Sequence, residues 1–402
     1  MGLPLLKKCR YSDRLGRLPE EVLMEIMLNL RAGDLQNLKS VSKFWNSFVS
    51  NPDFVKIHFN HSQSHHQHQI LFKTLQIIAD PLNQPRYEHH HFGINTNNMH
   101  RKVDFHIGSD KVLALKASCD GLLLLQDQHC PKQLYISNPV TAQFEPLPLF
   151  DTLCNDWALV CDTRIQKYKV FAVRCKYLYT LLTLGERTPS WQHYDNQVRK
   201  MRSGFNLLSN VLLLNKELHW LTPEVEGLYS SSGTQLYYFI FSIHVEEYGK
   251  FTKTRVPLRL CRQELYALVK CEAKHLLSDV NGSLCLTFVS HNLLKVFMLE
   301  DRDGGIWTKS HVVRLQSLPK HSILFHTFMS EDLCLVAMGG VGRSNLADLI
   351  KVLVHVEDKL FWYDLKTQEK TLVGLLSKDH KLHRSYFFHL ESLVTWDTGN
   401  AS

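Results

Sequence analysis

The sequence predicts two unlike domains: a small all-α module at the N-terminus, then an all-β, β-propeller-like domain. Three observations lead there. Apolar residues between positions 18 and 58 recur at helical spacing. From residue 111 to residue 396 the pattern changes to short alternating runs separated by turn residues. Hairpin-like units recur within that stretch at a spacing of about 40 residues, the length a propeller blade needs.

Composition bounds the possibilities. The chain has 402 residues, 44% hydrophobic and 21% charged, with 13 Pro and 19 Gly. That is enough chain to bury a substantial core, and nothing in it is fibrous or low in complexity. The formal charge of +7 is spread out rather than gathered into one run. A solvated face explains it better than nucleic-acid binding. Ten cysteines include no C-x-x-C pair, so they read as reduced thiols rather than a disulfide scaffold. No apolar run approaches the roughly 18 residues of a spanning helix, and the short apolar stretch in MGLPLLKKCR has its charge on the wrong side for a secretory signal. A cytoplasmic or nuclear protein without a membrane partner is expected.

Residues 1–14 read as a tail and 15–58 as the helical module. Leu23, Ile26, Met27 and Leu30 fall at i, i+3, i+4 and i+7, while Glu20, Glu21, Glu25 and Asn29 point elsewhere. Pro19 suits the first helical position and the two glutamates suit the positive end of the helix dipole. Gly33 is expected to break this helix and Asp34 to cap the next, in which Leu35, Leu38, Val41, Ser42 and Trp45 repeat the period. Asn51-Pro52-Asp53-Phe54 ends that run and can open a further helical turn.

Residues 59–110 are polar, Pro-punctuated and rich in histidine, and read as a linker with long loops. One apolar stretch, ILFKTLQII, is compatible with strand or helix. Beyond it, 111–396 holds strand-turn-strand segments such as WALVCDTRIQKYKVFAVRC, VLLLNKELHWLT and KLFWYDLKTQEKTLVGL. Leu134–Leu147 and Leu360–Leu372 resemble each other: an alternating strand ends at Asn138 or Asp364, Thr141 or Thr367 follows, and a second strand begins.

These residues resemble a known family. Leu18-Pro19, Val22-Leu23, Glu25-Ile26, Leu30, Leu35, Val41-Ser42-Lys43, Trp45 and Phe54 are similar to the F-box. The later segments SCDGLLLLQ, LYISNPVTAQFEPLP, DTRIQKYKVFAV, LNKELHWL and VNGSLCL are similar, in order, to the F-box-associated β domain of plant F-box proteins. Departures are Arg31 for a frequent proline, Ser137 and Phe297 for tryptophans and Lys216 for a glycine.

The resemblance implies a substrate receptor of a Skp/cullin/F-box ubiquitin ligase. Its partners would be a Skp-type adaptor, cullin and RING subunits through that adaptor, and a protein substrate that the sequence does not specify. The adaptor surface would be Leu18, Pro19, Val22, Leu23, Ile26, Leu35, Val41 and Trp45, with Leu38, Phe48, Ile26 and Trp45 open to the alternative of holding the module's own core. Elementary physics agrees that a module of about 40 residues cannot bury its apolar stripe alone. No catalytic residue, cofactor, metal or nucleic acid is expected. Two other readings stay open: a non-degradative scaffold or small-ligand receptor using the propeller, and a metal protein built on the 23 histidines, with His58, His61, His65, His66 and His68 grouped and His89, His90 and His91 adjacent. GGVGRSN at 339–345 fits neither a dinucleotide turn nor a phosphate loop. Substrate loops are sought at Arg187–Trp191 and Gly227–Gln235.

Overall fold

The computed structural model describes residues 19–65, 69–78, 86–95, 100–102, 113–151, 156–175, 178–195, 211–226, 235–247, 251–256, 274–280, 282–290, 293–301, 305–314, 336–338, 351–356, 359–364, 367, 369–375 and 380–396. Four helices come first: α1 (Glu20–Asn29), α2 (Ala32–Leu38), α3 (Lys43–Val49) and α4 (Pro52–His65). Pro19 precedes α1 as its cap position, one residue earlier than expected.

The break after α1 falls at Leu30 and Arg31, both in extended backbone, and not at Gly33, which lies inside α2 with Asp34 in the first turn. Arg31 has φ −69° and ψ 151°. That is the angle a proline ring would fix, so an arginine there keeps the turn and gives up only the proline's stiffness. The single helix expected across 35–45 is two. Ser42 explains why: its extended backbone ends the turn and its Oγ accepts the Trp45 N–H at 3.3 Å, starting α3. Asn51 does the same for α4, its Oδ1 accepting from Asp53 N at 2.8 Å and Phe54 N at 3.2 Å.

The linker expected over 59–110 is corrected. α4 runs on to His65, and β1 (Gln69–Ile78), β2 (Arg86–Asn95) and β3 (His100–Lys102) follow. β2 reads RYEHHHFGIN, without apolar alternation, yet it pairs with β1 along ten consecutive residues, from Gln69 opposite Asn95 to Ile78 opposite Arg86. Its backbone groups are satisfied by that pairing whatever its side chains are, and so its polarity concealed it.

Six four-stranded antiparallel sheets are present among the described residues. In the first, β24 (His380–His389) lies beside β1, so the last strand completes the sheet opened by the first three. The second holds β4 (Leu113–Cys119), β5 (Leu122–Asp127), β6 (Leu134–Asn138) and β7 (Gln143–Pro146). The third holds β8 (Asp156–Asp162), β9 (Lys167–Cys175), β10 (Leu178–Thr183) and β11 (Gln192–Asp195). The fourth holds β12 (Leu212–Leu214), β13 (Glu217–Glu226), β14 (Gln235–His244) and β15 (Phe251–Arg255). The fifth holds β16 (Lys274–Val280), β17 (Ser283–Ser290), β18 (Leu293–Asp301) and β19 (Ile306–Arg314). The sixth holds β20 (Val336–Met338), β21 (Lys351–Val356), β22 (Lys359–Asp364) and β23 (Lys370–Leu375).

Neighbouring sheets meet through corresponding strands: β24 touches β4, β4 touches β8, β8 touches β12, β12 touches β16, and β16 touches β20. Apolar side chains fill the spaces between consecutive sheets. Leu124, Ile136, Trp157 and Val170 join the second to the third, Phe171, Leu181, Trp220 and Phe241 the third to the fourth, and Tyr238, Ile240, Leu286 and Phe297 the fourth to the fifth. This is propeller-like architecture. The first strands of successive sheets lie 43 residues apart from Leu113 to Asp156 but 62 apart from Leu212 to Lys274, a wider and less regular spacing than the hairpin repeat suggested. The two resembling segments occupy equivalent places, as the third and fourth strands of their sheets.

The antiparallel order puts the β4–β5, β6–β7, β8–β9, β12–β13 and β14–β15 turns at one end of the sheets. Three of them are tied together there: Glu246 Oε1 accepts from Thr163 Oγ1 at 3.0 Å and from Lys216 Nζ at 3.1 Å. The helical module sits at this end as well, because Val140, in the β6–β7 turn, packs against its core.

Candidate functional site

The helical module has a full interior and an apolar exterior. Leu23, Met27, Ala32, Leu35, Trp45, Phe48, Val49 and Phe54 are buried together. Phe48 stands 4.6 Å from the Phe54 ring and edge-on to Trp45. His58, on α4, is buried beside Phe54, its Nε2 2.9 Å from the carbonyl oxygen of Leu30. That contact ties the last helix to the end of the first.

Three of the eight residues expected on the adaptor surface are therefore corrected. Leu23, Leu35 and Trp45 are 6%, 0% and 7% exposed, closed inside the module. Val22 and Ile26 are 41% exposed and Val41 66%, and Pro19 is exposed at the head of α1. Leu18 lies outside the described residues. α1 thus carries two apolar rows: Leu23 and Met27 at i, i+4 face inward, while Val22 and Ile26 at i, i+4 face out. The spacing found both rows but could not separate them, since they adjoin on the helix.

Ile57 on α4, 41% exposed, was not singled out from sequence. A residue one turn before the polar run of α4 looks like the end of a core stripe. The exposed apolar set lies among Glu21, Glu25, Lys43 and Lys56, all exposed.

The grouped histidines fall on different elements. His58 and His61 lie on α4, His65 ends it, His66 and His68 fall outside the described residues, and His89, His90 and His91 belong to β2. Among the described residues no group of three or more His, Cys, Asp or Glu is placed to hold a metal ion. Of the segments considered for substrate, Arg187–Ser190 form an exposed loop. Trp191 instead packs edge-on to Phe150 at 4.9 Å and donates its Nε1–H to Pro148 O at 3.0 Å. Residues 227–234 and the glycine-rich 339–345 lie outside the described residues.

One cluster in the β domain has the residue types of a catalytic site. Tyr168 donates its hydroxyl to Asp120 Oδ2 at 3.0 Å, and Cys119 and Cys161 lie close enough to couple electrostatically with Asp120. Burial pushes the Cys161 thiol up to about 11 and raises Cys119 well above its usual range, and the Asp120 charge adds to both. Such thiols stay protonated at neutral pH and are poor nucleophiles. Tyr168, with Cys119 and Cys161 against it, packs in the core between the second and third sheets.

Asp156 is a second displaced carboxyl. It accepts the N–H of Trp157 at 2.9 Å and of Val211 at 3.0 Å, joining the starts of β8 and β12. Burial pushes it up to about 6, with the two N–H groups pulling the other way. The folded chain therefore keeps this proton at pH values where the unfolded chain has lost it, so stability is lost as pH rises toward 6 and levels off above. In parallel melts of wild type and Asp156→Asn, the wild type should lose ground to the variant between about pH 4 and pH 6, with a constant difference beyond about pH 7.

Comparison with known proteins finds one family model and several plant relatives. The F-box domain model matches residues 15–57. The chain is 28% identical over 153 residues to F-box protein At5g18160 of Arabidopsis thaliana, covering 36% of each chain. It is 21% identical over 390 residues to F-box protein At1g53790 of the same plant, covering 93% of this chain and 80% of that one. F-box protein At3g57590 is 22% identical over 378 residues, covering 90% and 85%.

Proposed function

We propose that this chain, whose residues 15–57 are an F-box domain, is the substrate-recognition subunit of a Skp/cullin/F-box ubiquitin ligase. The F-box binds a Skp-type adaptor, which brings the cullin and RING subunits. The β domain recruits a protein for ubiquitination. The chain acts by binding and holds, rather than transforms, its target, in the cytoplasm or nucleus.

The observation that carries this reading is the uncovered apolar surface of Pro19, Val22, Ile26 and Val41 on a module whose interior is already filled. Helix-in-groove docking uses anchors of this kind, i and i+4 on one face. Burying each large anchor contributes about 1.5 to 3 kcal/mol, so a few of them sustain a complex against the cost of association.

Since Val22 and Ile26 are exposed, charging them leaves the F-box folded. Val22→Asp with Ile26→Asp should weaken adaptor binding at least about a hundredfold in titration calorimetry, with circular dichroism unchanged. Undiminished affinity in that variant would remove this face as the interface. Recruitment by the β domain is tested separately, by proximity labelling with wild type and an F-box deletion. Proteins labelled by both are β-domain partners, and their accumulation on proteasome inhibition distinguishes degradation from scaffolding.

A further inference from the structure

The chain does not stop being useful when β24 completes the first sheet. Residues Leu390–Trp396 leave that strand and cross the turn end of the second sheet, where side chains about 250 positions earlier receive them. Asn138, fully buried at the end of β6, donates Nδ2–H to Ser392 O at 3.0 Å and to Val394 O at 2.8 Å. Its Oδ1 accepts the N–H of Val140 at 2.9 Å, so the same side chain shapes the β6–β7 turn and holds the passing segment. Ser392 Oγ donates to Asp120 O in the β4–β5 turn. Trp396 donates Nε1–H to Glu145 Oε2 at 3.0 Å while its ring enters the core between the second and third sheets.

Between these anchors, Leu393 points the other way. It is 3% exposed and belongs to the buried cluster of the helical module, with Leu35, Trp45, Phe48 and Phe54. Val140, supported by Asn138, lies against the same cluster. Apart from the chain connection between His65 and Gln69, these two residues are what the β domain contributes to that cluster among the described residues.

We infer that Leu390–Trp396 is a strap that locks the F-box to the second sheet and thereby fixes the angle between the F-box and the β domain. Its ends belong to the β domain and its middle to the F-box. A segment that only finished the propeller would have no reason to bury Leu393 among the helices. The F-box core is complete only when the far end of the chain has folded onto it.

The test uses two variants, a chain shortened to end at His389 and a full chain carrying Leu393→Asp. β24 remains in both, so the first sheet keeps its last strand. Hydrogen exchange of α2 and α3 should accelerate at least about tenfold in both variants while β13 and β14, whose buried side chains pack away from the strap, keep wild-type protection. Distance labels at the exposed Asn37 and Arg187, attached by a non-cysteine chemistry because of the ten native cysteines, should give one narrow distribution in wild type and a broad one in the variants. If the shortened chain fails to fold, Leu393→Asp decides. Wild-type exchange in α2 and α3 with a narrow distance distribution in Leu393→Asp overturns the strap. Equal loosening of the helices and of β13–β14 also overturns it, since the segment would then be general core.

Discussion

Asp162→Ala should lower the stability of the β domain by about 3 to 5 kcal/mol in urea or thermal unfolding, the cost of breaking a buried ion pair from one side. Asp162 closes β8, and its side chain and that of Lys169 on β9 are 0% and 4% exposed. One carboxylate oxygen pairs with Lys169 Nζ. The other accepts Arg164 N at 3.1 Å and Ile165 N at 3.4 Å, so it also shapes the β8–β9 turn. Alanine removes both functions and takes the carboxylate away from the buried Lys169 ammonium.

The pair itself need not stabilise: two charges taken out of water lose about as much as their attraction returns. Asp162→Asn with Lys169→Met keeps an acceptor for the turn and removes both charges. It should recover most of the loss, and a double-mutant cycle reads the coupling. The pH response has the opposite sign to that of Asp156. Burial raises Asp162, but the Lys169 ammonium and the two N–H groups outweigh it and hold the carboxyl below its usual range. Its contribution is therefore present above about pH 4 and lost as pH falls through the lower folded value.

Periodicity found α1 and the β hairpins because each rests on contacts within a few residues or between adjacent strands. It failed where the deciding partner is remote. β2 is polar and was hidden, since its pairing with β1 is a backbone matter. Ile26 follows Leu23 by three and looked like the same stripe, but only packing against α4 and the far strap decides that Leu23 is the one covered. Lys216 shows the converse. A glycine was expected in its turn, and its backbone does take φ +63°, beside Asn215 at +51°. The lysine accepts that strained conformation and links its turn to the next through Glu246. His219 and Trp220, adjacent in a motif that resembled the family, divide across the strand. His219 meets Ser242 Oγ at 2.7 Å, and Trp220 fills the core between sheets. Local sequence named these residues and could not show what they touch.

Gly121→Ala should cost about 2 to 5 kcal/mol, more than twice the cost of the same change at Gly282. Both glycines have left-handed backbone, φ +86° and +79°, so the conformational penalty for an added Cβ, roughly 1 to 2 kcal/mol, is common to the two. Their surroundings differ. A Cβ at Gly282 meets nothing within 4 Å, whereas at Gly121 it would overlap Ser392 Oγ and lie 2.9 Å from Leu390 O. The excess at Gly121 therefore measures contact with the strap, with backbone strain cancelled. That clash should also carry across to the helices, because displacing Ser392 moves Leu393: Gly121→Ala should speed exchange in α2 and α3, and Gly282→Ala should not. Ser392→Gly in the Gly121→Ala background removes the overlapping side chain and should return part of the steric loss while leaving the strain and the close Leu390 carbonyl. If the two alanine variants melt together, close approach of the strap is not what requires glycine at position 121. The turn's left-handed angle would then be the whole reason for it.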